Sequence, residues 1–166
     1  MNVLTIDDLV NLSGEAQGKG LTVGLCHGCF DILHIGHIGH FTAARSQCDM
    51  LFVSVTANRY VNKGPDRPVI PELERAEIVS SLKVVAGAVI NYGPTSEDLL
   101  SRVKPNFYFK GQEYISSEDS RFIDEREVCK RLGIELRHTF ERVCSSSKII
   151  ASLHTMPDYK DEHVSS

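Results

Sequence analysis

The sequence lacks both an apolar run long enough to cross a bilayer and a cluster of basic residues that would mark a nucleic-acid-binding surface. Its 166 residues carry 18 Lys+Arg against 22 Asp+Glu, a formal net charge of −4, and no uninterrupted basic run exceeds two residues. A membrane helix needs about 20 consecutive apolar residues, and a duplex-binding surface needs concentrated positive charge. We therefore expect no membrane span and no nucleic-acid partner. The acidic start at residues 1–8, unlike a basic signal peptide, predicts a soluble cytoplasmic protein.

The five cysteines show no framework spacing, and their number is odd. Both features favour reduced thiols over the disulfide scaffold of a secreted protein. The sequence also lacks internal repeats and low-complexity segments, and 42% of its residues are hydrophobic. A chain of this length buries roughly 70% of its unfolded surface. We therefore predict one stable domain over residues 1–156, followed by a polar tail at 157–166 that we expect to be disordered.

Continuous apolar runs, typical of parallel strands buried on both faces, alternate with helical patterns after an opening helix and turn at residues 1–20. The runs predict strands at 21–25, 50–56, 84–90, 107–109 and 134–138. The other patterns predict helices at 36–47, 71–82, 95–103, 118–132 and 145–153. This rhythm indicates an α/β fold with a Rossmann-like, doubly wound, parallel five-stranded sheet, in which ligands bind at the carboxyl ends of the strands.

The longest segment without a strand or helix pattern is the loop at residues 57–70, which is rich in polar, glycine and proline residues. Loops of more than about 12 residues are uncommon in a compact domain unless they carry function. Lys63 lies in this loop, where its ammonium can close on a phosphate as a point charge; a solvated surface lysine is the alternative. We therefore predict that the loop takes part in a ligand site.

The strongest local pattern is the segment 27–37, HGCFDILHIGH, which joins a predicted strand to the following helix. Gly28 and Gly36 remove side chains where the backbone would approach a ligand closely. His34 and His37 flank a helix N-terminus, whose free N–H groups and dipole attract anions. This combination favours a phosphate chain as the ligand over a structural turn with a buried histidine.

The residues GCFDILHIGH resemble the GxFDxxHxGH motif of the nucleotidylyltransferase superfamily, the cytidylyltransferase-like proteins. Three further blocks follow in the family's order: KGPDRPV at 63–69 with Glu74-Arg75, KGQEY at 110–114, and SSS at 145–147. The blocks most resemble the bacterial heptose-1-phosphate adenylyltransferase branch, with glycerol-phosphate cytidylyltransferases as the alternative. The resemblance extends over nearly the whole chain, to Ile150.

The resemblance implies an enzyme that transfers a nucleoside monophosphate from ATP or CTP to a phosphorylated acceptor and releases pyrophosphate. The expected acceptor is a sugar 1-phosphate for cell-surface glycan synthesis. The resemblance also implies Mg²⁺ as cofactor, held mainly by the triphosphate with no protein ligand assigned, and a homodimer. Because the acceptor phosphate is already ionised at neutral pH, catalysis reduces to positioning and charge stabilisation.

Each residue that matches a family block takes an implied role. The catalytic residues are His34, His37 and Lys63, and the acceptor-phosphate residues are Lys63 and Arg75. The nucleotide-binding residues are Gly28, Cys29, Phe30, Gly36, Lys110, Gly111, Glu113, Ser145, Ser146 and Ser147. Asp31 is expected to orient the turn of the motif, and Arg142 to add a forked contact to the same phosphates.

Several assignments have a simpler alternative. Arg75 lies near Glu72 in the predicted helix, so an ion pair is as consistent as phosphate binding. The serines at 145–147 can cap the last helix as well as cradle a phosphate, and Arg142 fits an exposed surface position equally well. The departures from the family pattern are Asn106, Glu113 and Cys144, which leave the nucleotide and acceptor preference open.

Three rival functions compete with nucleotidyl transfer. Cys26 and Cys29 have the CxxC spacing of a redox site, although Cys26 is expected to face a packed environment. His34, His37 and His40 drift around a helix by about 60° at each i, i+3 step, so only two of them comfortably share a zinc ion. His40 is then a surface histidine or a substrate contact. A non-catalytic nucleotide-binding domain is the third rival, and the retained histidines and lysines of the blocks favour an enzyme over it.

Overall fold

A computed structural model describes residues 3–140 and 150–152 of the chain. Six parallel strands form one sheet: β1 (Val3–Leu4), β2 (Val23–Gly28), β3 (Met50–Thr56), β4 (Gly87–Asn91), β5 (Phe107–Gly111) and β6 (Glu135–Thr139). Their order across the sheet is β1-β4-β3-β2-β5-β6. The chain builds outward from β2 to β4 on one side and then places β5 on the other. The strand order therefore reverses between β2 and β5.

Helices cover both faces of this sheet. In the described part of the chain they are α1 (Ile6–Gly18), α2 (Ile35–Arg45), α3 (Glu72–Ser80), α4 (Glu97–Val103) and α5 (Ser120–Leu132). Adjacent strand residues serve opposite layers: Leu25 packs with α1, α4 and α5, whereas Cys26 packs with α2 and α3, and both side chains are fully buried. This two-sided burial explains the continuous apolar runs. No described helix has the length and apolar character to cross a membrane.

The predicted Rossmann-like, doubly wound parallel sheet in a single domain is confirmed, with one additional strand at its edge. Residues 1–20 were expected to form only a helix and a turn, but Val3 and Leu4 pair with β4 as the two-residue strand β1. Thr5 then starts α1 through a capping box, because its side chain accepts from the Asp8 amide while the Asp8 carboxylate accepts from the Thr5 amide. The cap requires an extended backbone at Thr5, so the helix begins only at Ile6.

Several boundaries also differ from the sequence prediction. β5 runs two residues further than expected, so that Lys110 and Gly111 belong to the strand. α5 begins at Ser120, two residues later than expected, and ends at Leu132 as expected, with Gly133 at a positive φ of 70° as its C-cap. Residues 150–152 are helical. The rest of the predicted helix at 145–153 and the tail at 157–166 lie outside the described residues.

Candidate active site

A cleft opens at the carboxyl edge of the sheet, where β2 and β5 diverge and the strand order reverses. Its empty volume, open to solvent, is about 710 Å³. Its lining comprises His27, Gly28 and Cys29 at the end of β2, Thr56 and residues 60–63 after β3, Pro94 and Thr95 after β4, Lys110 and Tyr114 at and after β5, and Asp119, Arg121, Phe122 and Glu125 around the start of α5. A doubly wound sheet places its ligand site at this edge.

The two histidines of the HGCFDILHIGH segment form a stacked pair at the start of α2. The ring centroids of His34 and His37 lie 3.8 Å apart, with 18° between the ring planes. His34 is the N-cap residue of α2, yet its side chain makes no hydrogen bond to the first amides of the helix. The N-terminal end of the helix dipole therefore has no capping side chain, which suits an anionic ligand.

Both imidazoles are neutral at physiological pH. Burial, the His34 ring and the Lys63 ammonium together lower the pKa of His37 to about 3. Burial and Lys63 also lower the pKa of His34. Both Nδ1 atoms are buried and make no hydrogen bond of normal geometry within the described chain, although the Ile32 backbone is close enough to favour protonated His37 slightly. A bound anion raises the pKa of both rings, because negative charge favours the imidazolium form.

Lys63 connects the histidine pair to the cleft. This exposed residue of the loop 57–70 lines the cleft, and its charge acts on both His34 and His37. The two histidines do not themselves belong to the cleft lining. Lys63 therefore lies in the cleft lining and within electrostatic range of the other two candidate catalytic residues.

Gly28 and Phe30 shape the turn beneath the histidine pair. Phe30 is buried with a positive φ of 47°, and its ring lies edge-on to His37 with the centroids 5.3 Å apart. A Cβ atom on Gly28 would stand only 2.9 Å from the Phe30 ring. Gly36 lies in the first turn of α2. Cys29, between Gly28 and Phe30 in the sequence, lines the cleft, and burial raises the pKa of its thiol.

Asp31, expected to orient the turn of the motif, ties that turn to the end of the loop 57–70. Its buried carboxylate accepts hydrogen bonds from Arg67 Nε at 2.6 Å and from the Val69 and Ile70 amides at 2.9 and 3.0 Å. Burial alone raises the pKa of Asp31, but these three donors and the Arg67 charge outweigh burial, so the pKa lies below its ordinary value. Asp31 therefore acts as an ionised structural acceptor.

Arg75 was expected at the acceptor phosphate, and the structure does not support that assignment. Its side chain is only 1% exposed. The guanidinium donates to the Ile70 carbonyl at 2.7 Å, to Asn58 Oδ1 at 2.7 Å and to the Cys29 carbonyl. The alternative partner, Glu72, forms no ion pair with it among the ion pairs of the described residues. Arg75 is thus a buried connector between the motif and the loop 57–70.

Lys110 reaches the cleft, but a carboxylate already neutralises its charge. Lys110 Nζ lies 2.7 Å from Glu125 Oε2, and the two side chains are 6% and 5% exposed. The ammonium also lies 5.1, 4.9 and 5.7 Å from the ring centroids of Tyr108, Tyr114 and Phe122. At Lys110 the cleft is therefore lined by a buried ion pair without net charge, surrounded by aromatic rings, and not by an unpaired cation ready to bind phosphate.

The sequence analysis missed Glu125, which organises a buried polar network. Its carboxylate accepts a hydrogen bond from the Tyr108 hydroxyl at 2.9 Å, and that hydroxyl lies 2.9 Å from Ser96 Oγ. A signal for it was available. Phe122, Glu125 and Cys129 are spaced i, i+3 and i+7 along α5, so a charged residue interrupts an apolar helical stripe.

The remaining candidate residues near β5 and β6 are Gly111, Glu113 and His40. The Glu113 carboxylate lies over Gly111, where a Cβ atom would collide with it, and the assignment of both residues to nucleotide remains a prediction. His40 is no free surface histidine, because its Nδ1 lies 2.6 Å from Thr139 Oγ1 and burial lowers its pKa to about 4. Within the described residues, no group of three or more His, Cys, Asp or Glu is placed to hold a metal ion.

Two further residues lie away from the cleft chemistry. Asn106 Oδ1 accepts a hydrogen bond from the Val23 amide at 2.7 Å, at the amino ends of β2 and β5. Its departure from the family pattern thus concerns the opposite edge of the sheet and not the ligand site. Cys26 is fully buried, and burial raises the pKa of its thiol well above the ordinary value, which disfavours the thiolate that a redox site needs.

Arg142, Cys144 and the serines at 145–147 lie outside the described residues.

Comparisons with known proteins identify the family that the sequence motifs resemble. The model of the cytidylyltransferase-like family matches residues 25–166. The bifunctional protein HldE of Bradyrhizobium diazoefficiens is 45% identical over 102 residues, which is 60% of this chain and 21% of that protein. HldE of Photobacterium profundum is 35% identical over 153 residues, which is 91% of this chain and 32% of that protein. The chain therefore spans about a fifth to a third of these relatives.

A solved structure shares the fold. The crystal structure of the lipopolysaccharide core biosynthesis protein from Thermoplasma volcanium GSS1 superposes with a TM-score of 0.60 at 25% identity. The match covers 76% of this chain and the whole of that one.

Proposed function

The chain belongs to the cytidylyltransferase-like family, and on that premise we propose that it transfers a nucleoside monophosphate from a nucleoside triphosphate to a phosphorylated acceptor and releases pyrophosphate. The observation that carries this proposal is the stacked pair of His34 and His37 at a helix N-terminus without a side-chain cap, within electrostatic range of Lys63. These groups provide two neutral N–H donors, one ammonium and one helix dipole for a phosphate chain.

The same groups fit the electrostatic demand of the reaction. As the bond between the α- and β-phosphates breaks, negative charge grows on the departing pyrophosphate. Donors fixed before the reaction stabilise such charge without reorganisation. His34 and His37 begin neutral and gain basicity as that charge develops, while Lys63 on its loop contributes a full positive charge. No general base is required, because the attacking phosphate oxygen is already ionised.

We propose that Mg²⁺ enters this site with the triphosphate and is held mainly by its phosphates. The two carboxylates in the cleft lining are already engaged: Glu125 pairs with Lys110, and Asp119 pairs with Arg121. Mg²⁺ in nucleotide sites is usually held by one or two carboxylates, substrate phosphates and several waters. When bound with the triphosphate, Mg²⁺ neutralises phosphate charge and aligns the chain for in-line displacement.

We further propose a sugar 1-phosphate of cell-surface glycan synthesis as the acceptor. The similarity to a protein named for lipopolysaccharide core biosynthesis supports this acceptor class, as does the resemblance of the sequence blocks to heptose-1-phosphate adenylyltransferases. Both ATP and CTP are candidate donors, and glycerol phosphate is the alternative acceptor.

A pyrophosphate-release assay tests the proposal. The purified protein is incubated with each of the four common triphosphates, with and without Mg²⁺, and with hexose 1-phosphates, heptose 1-phosphates or glycerol 3-phosphate. We expect pyrophosphate only when triphosphate, Mg²⁺ and a phosphorylated acceptor are all present. Release of inorganic phosphate in its place would indicate a hydrolase, and tight nucleotide binding without turnover would indicate a non-catalytic domain.

A further inference from the structure

One buried arginine fastens both ends of the loop 57–70 to the turn that carries the histidine pair. The Arg75 guanidinium reaches Asn58 at the start of the loop, Ile70 at its end and the Cys29 carbonyl in the turn. A planar guanidinium holds three acceptors in fixed relative directions. Arg75 is 1% exposed, so water cannot replace these acceptors as it would around a surface arginine. Their loss would leave a charged group without hydrogen-bond partners in the interior.

Asp31 supplies a second, independent anchor at the end of the loop. Its carboxylate accepts from Arg67 Nε and from the Val69 and Ile70 amides, and it is itself 1% exposed. Asp31 lies three residues before His34 in the chain. The anchor therefore fixes the distance between the histidine pair and the returning end of the loop.

The middle of the loop carries Lys63 and has no comparable attachment. Residues 62–66 are exposed, and within the described chain no hydrogen bond or ion pair joins them to a residue outside the loop. Gly64 and Asp66 adopt positive φ angles of 98° and 58°. The loop is thus an arc with two fixed ends and an exposed centre.

From this arrangement, and resting on the proposed function, we propose that Arg75 and Asp31 are positioning residues for Lys63. They hold the ends of the loop against the β2–α2 turn, so that the Lys63 ammonium stays within electrostatic range of the histidine pair and any closure over a ligand is confined to residues 61–66. Neither residue contacts substrate in this proposal. Their effect on nucleotidyl transfer is exerted through Lys63.

Two structural readouts test the anchors in the ligand-free protein. Asp31→Asn and the milder Asn58→Ala, which removes one acceptor of Arg75 at an exposed position, are compared with Asp49→Asn. Asp49 is a matched control, because its carboxylate also accepts a backbone amide, that of Thr22, but away from the loop. Asp31→Asn keeps an oxygen acceptor but loses the carboxylate charge and the acceptor of Arg67 Nε. Because hydrogen bonds to a charged group are stronger than neutral ones, we expect the Val69 and Ile70 amides to exchange with solvent about tenfold faster, with no change at these amides in the control.

The second readout is the pKa of the His34 imidazole, measured by NMR titration. Lys63 lowers this pKa, so Lys63→Met should raise it, and both anchor variants should move it in the same direction as Lys63 is released. Removing the Asp31 carboxylate acts on a nearby histidine in the opposite electrostatic sense, so a rise reports displacement of the lysine. An unchanged His34 pKa in both anchor variants would overturn the proposal.

A double-mutant cycle links the anchors to turnover. We expect Asn58→Ala to lower kcat by about tenfold or more, since small displacements of positioning groups cost up to about a hundredfold. In the Lys63→Met background the same substitution should cost almost nothing, because the two changes act on one group. Additive losses would refute positioning through Lys63. If the unaltered protein releases no pyrophosphate, the proposed function fails, while the exchange and titration results still decide the role of the anchors.

Discussion

Removal of the negative charge at Glu125 should destabilise the protein far more than removal of a surface carboxylate. Breaking a buried ion pair by neutralising one partner typically costs about 3–5 kcal/mol. In Glu125→Gln the amide still accepts the Tyr108 hydroxyl, and the Lys110 ammonium keeps its three ring contacts. We therefore expect a loss near the lower limit, about 3 kcal/mol in the free energy of unfolding, or roughly 6–12 °C in Tm for a chain of this size.

Urea denaturation measures the free energy of unfolding, and a surface ion pair provides the matched control. Asp7 pairs with Arg102, but the two side chains are 82% and 40% exposed, so Asp7→Asn should cost less than about 1 kcal/mol. The double variant Glu125→Gln/Lys110→Met should be less destabilised than the sum of the single variants, because it removes both charges together. If Glu125→Gln unfolds with the same free energy as Asp7→Asn, the pair is not the buried interaction described here.

The contribution of the Glu125–Lys110 pair to the free energy of unfolding depends on pH with a definite sign. Burial raises the Glu125 pKa, but Lys110 and His27 outweigh burial and bring it below the ordinary value of 4.5. The stabilisation is then fully present above pH 4.5 and is lost as the pH falls through the lowered pKa. In Lys110→Met burial dominates at Glu125 and raises its pKa, so stability should increase as the pH falls from neutrality toward 4.5, before the carboxylates with lowered pKa values begin to protonate. A Lys110→Met variant that loses stability between pH 7 and pH 4.5 would contradict this account.

Further outcomes follow from the histidine pair, the loop and the surface. His37→Ala should lower kcat by about 10²–10³-fold with a small effect on triphosphate affinity, because it removes one donor to developing charge, whereas the packed Cys26→Ser should retain nearly full activity; steady-state kinetics with circular dichroism compares them. The pKa of His37, about 3 in the free protein, should rise when nucleotide binds, and an NMR titration showing no rise would place the phosphates elsewhere. Limited proteolysis within 57–70 should slow with nucleotide and Mg²⁺, and equal rates would exclude closure of the loop. Sedimentation at micromolar concentration should show a dimer, and an 18.5 kDa species would refute it.

The sequence by itself determined the layered architecture and predicted a ligand site at the carboxyl edge of the sheet, where the cleft opens. Runs such as Met50–Thr56 carry no polar face, and only a strand covered on both sides tolerates that composition, so the parallel sheet could be read directly. The HGCFDILHIGH segment placed glycines and histidines at a strand-to-helix junction, and the free amides of a helix N-terminus at such a junction favour an anion. The short strand β1 was missed because its two residues form no pattern and owe their conformation to pairing with β4.

The tertiary structure alone decided which charged residues are available to a ligand. Sequence blocks identified Arg75 and Lys110 as phosphate-binding candidates, but Arg75 meets Cys29, 46 residues away, and Lys110 meets Glu125 on α5. A charged side chain forced into the interior must find partners there, since burying an unpaired charge is prohibitive. Those partners come from segments brought together only by the fold. Lys63 lies on an exposed arc between two anchored ends, where no ion pair among the described residues involves it, and its charge acts on His34 and His37.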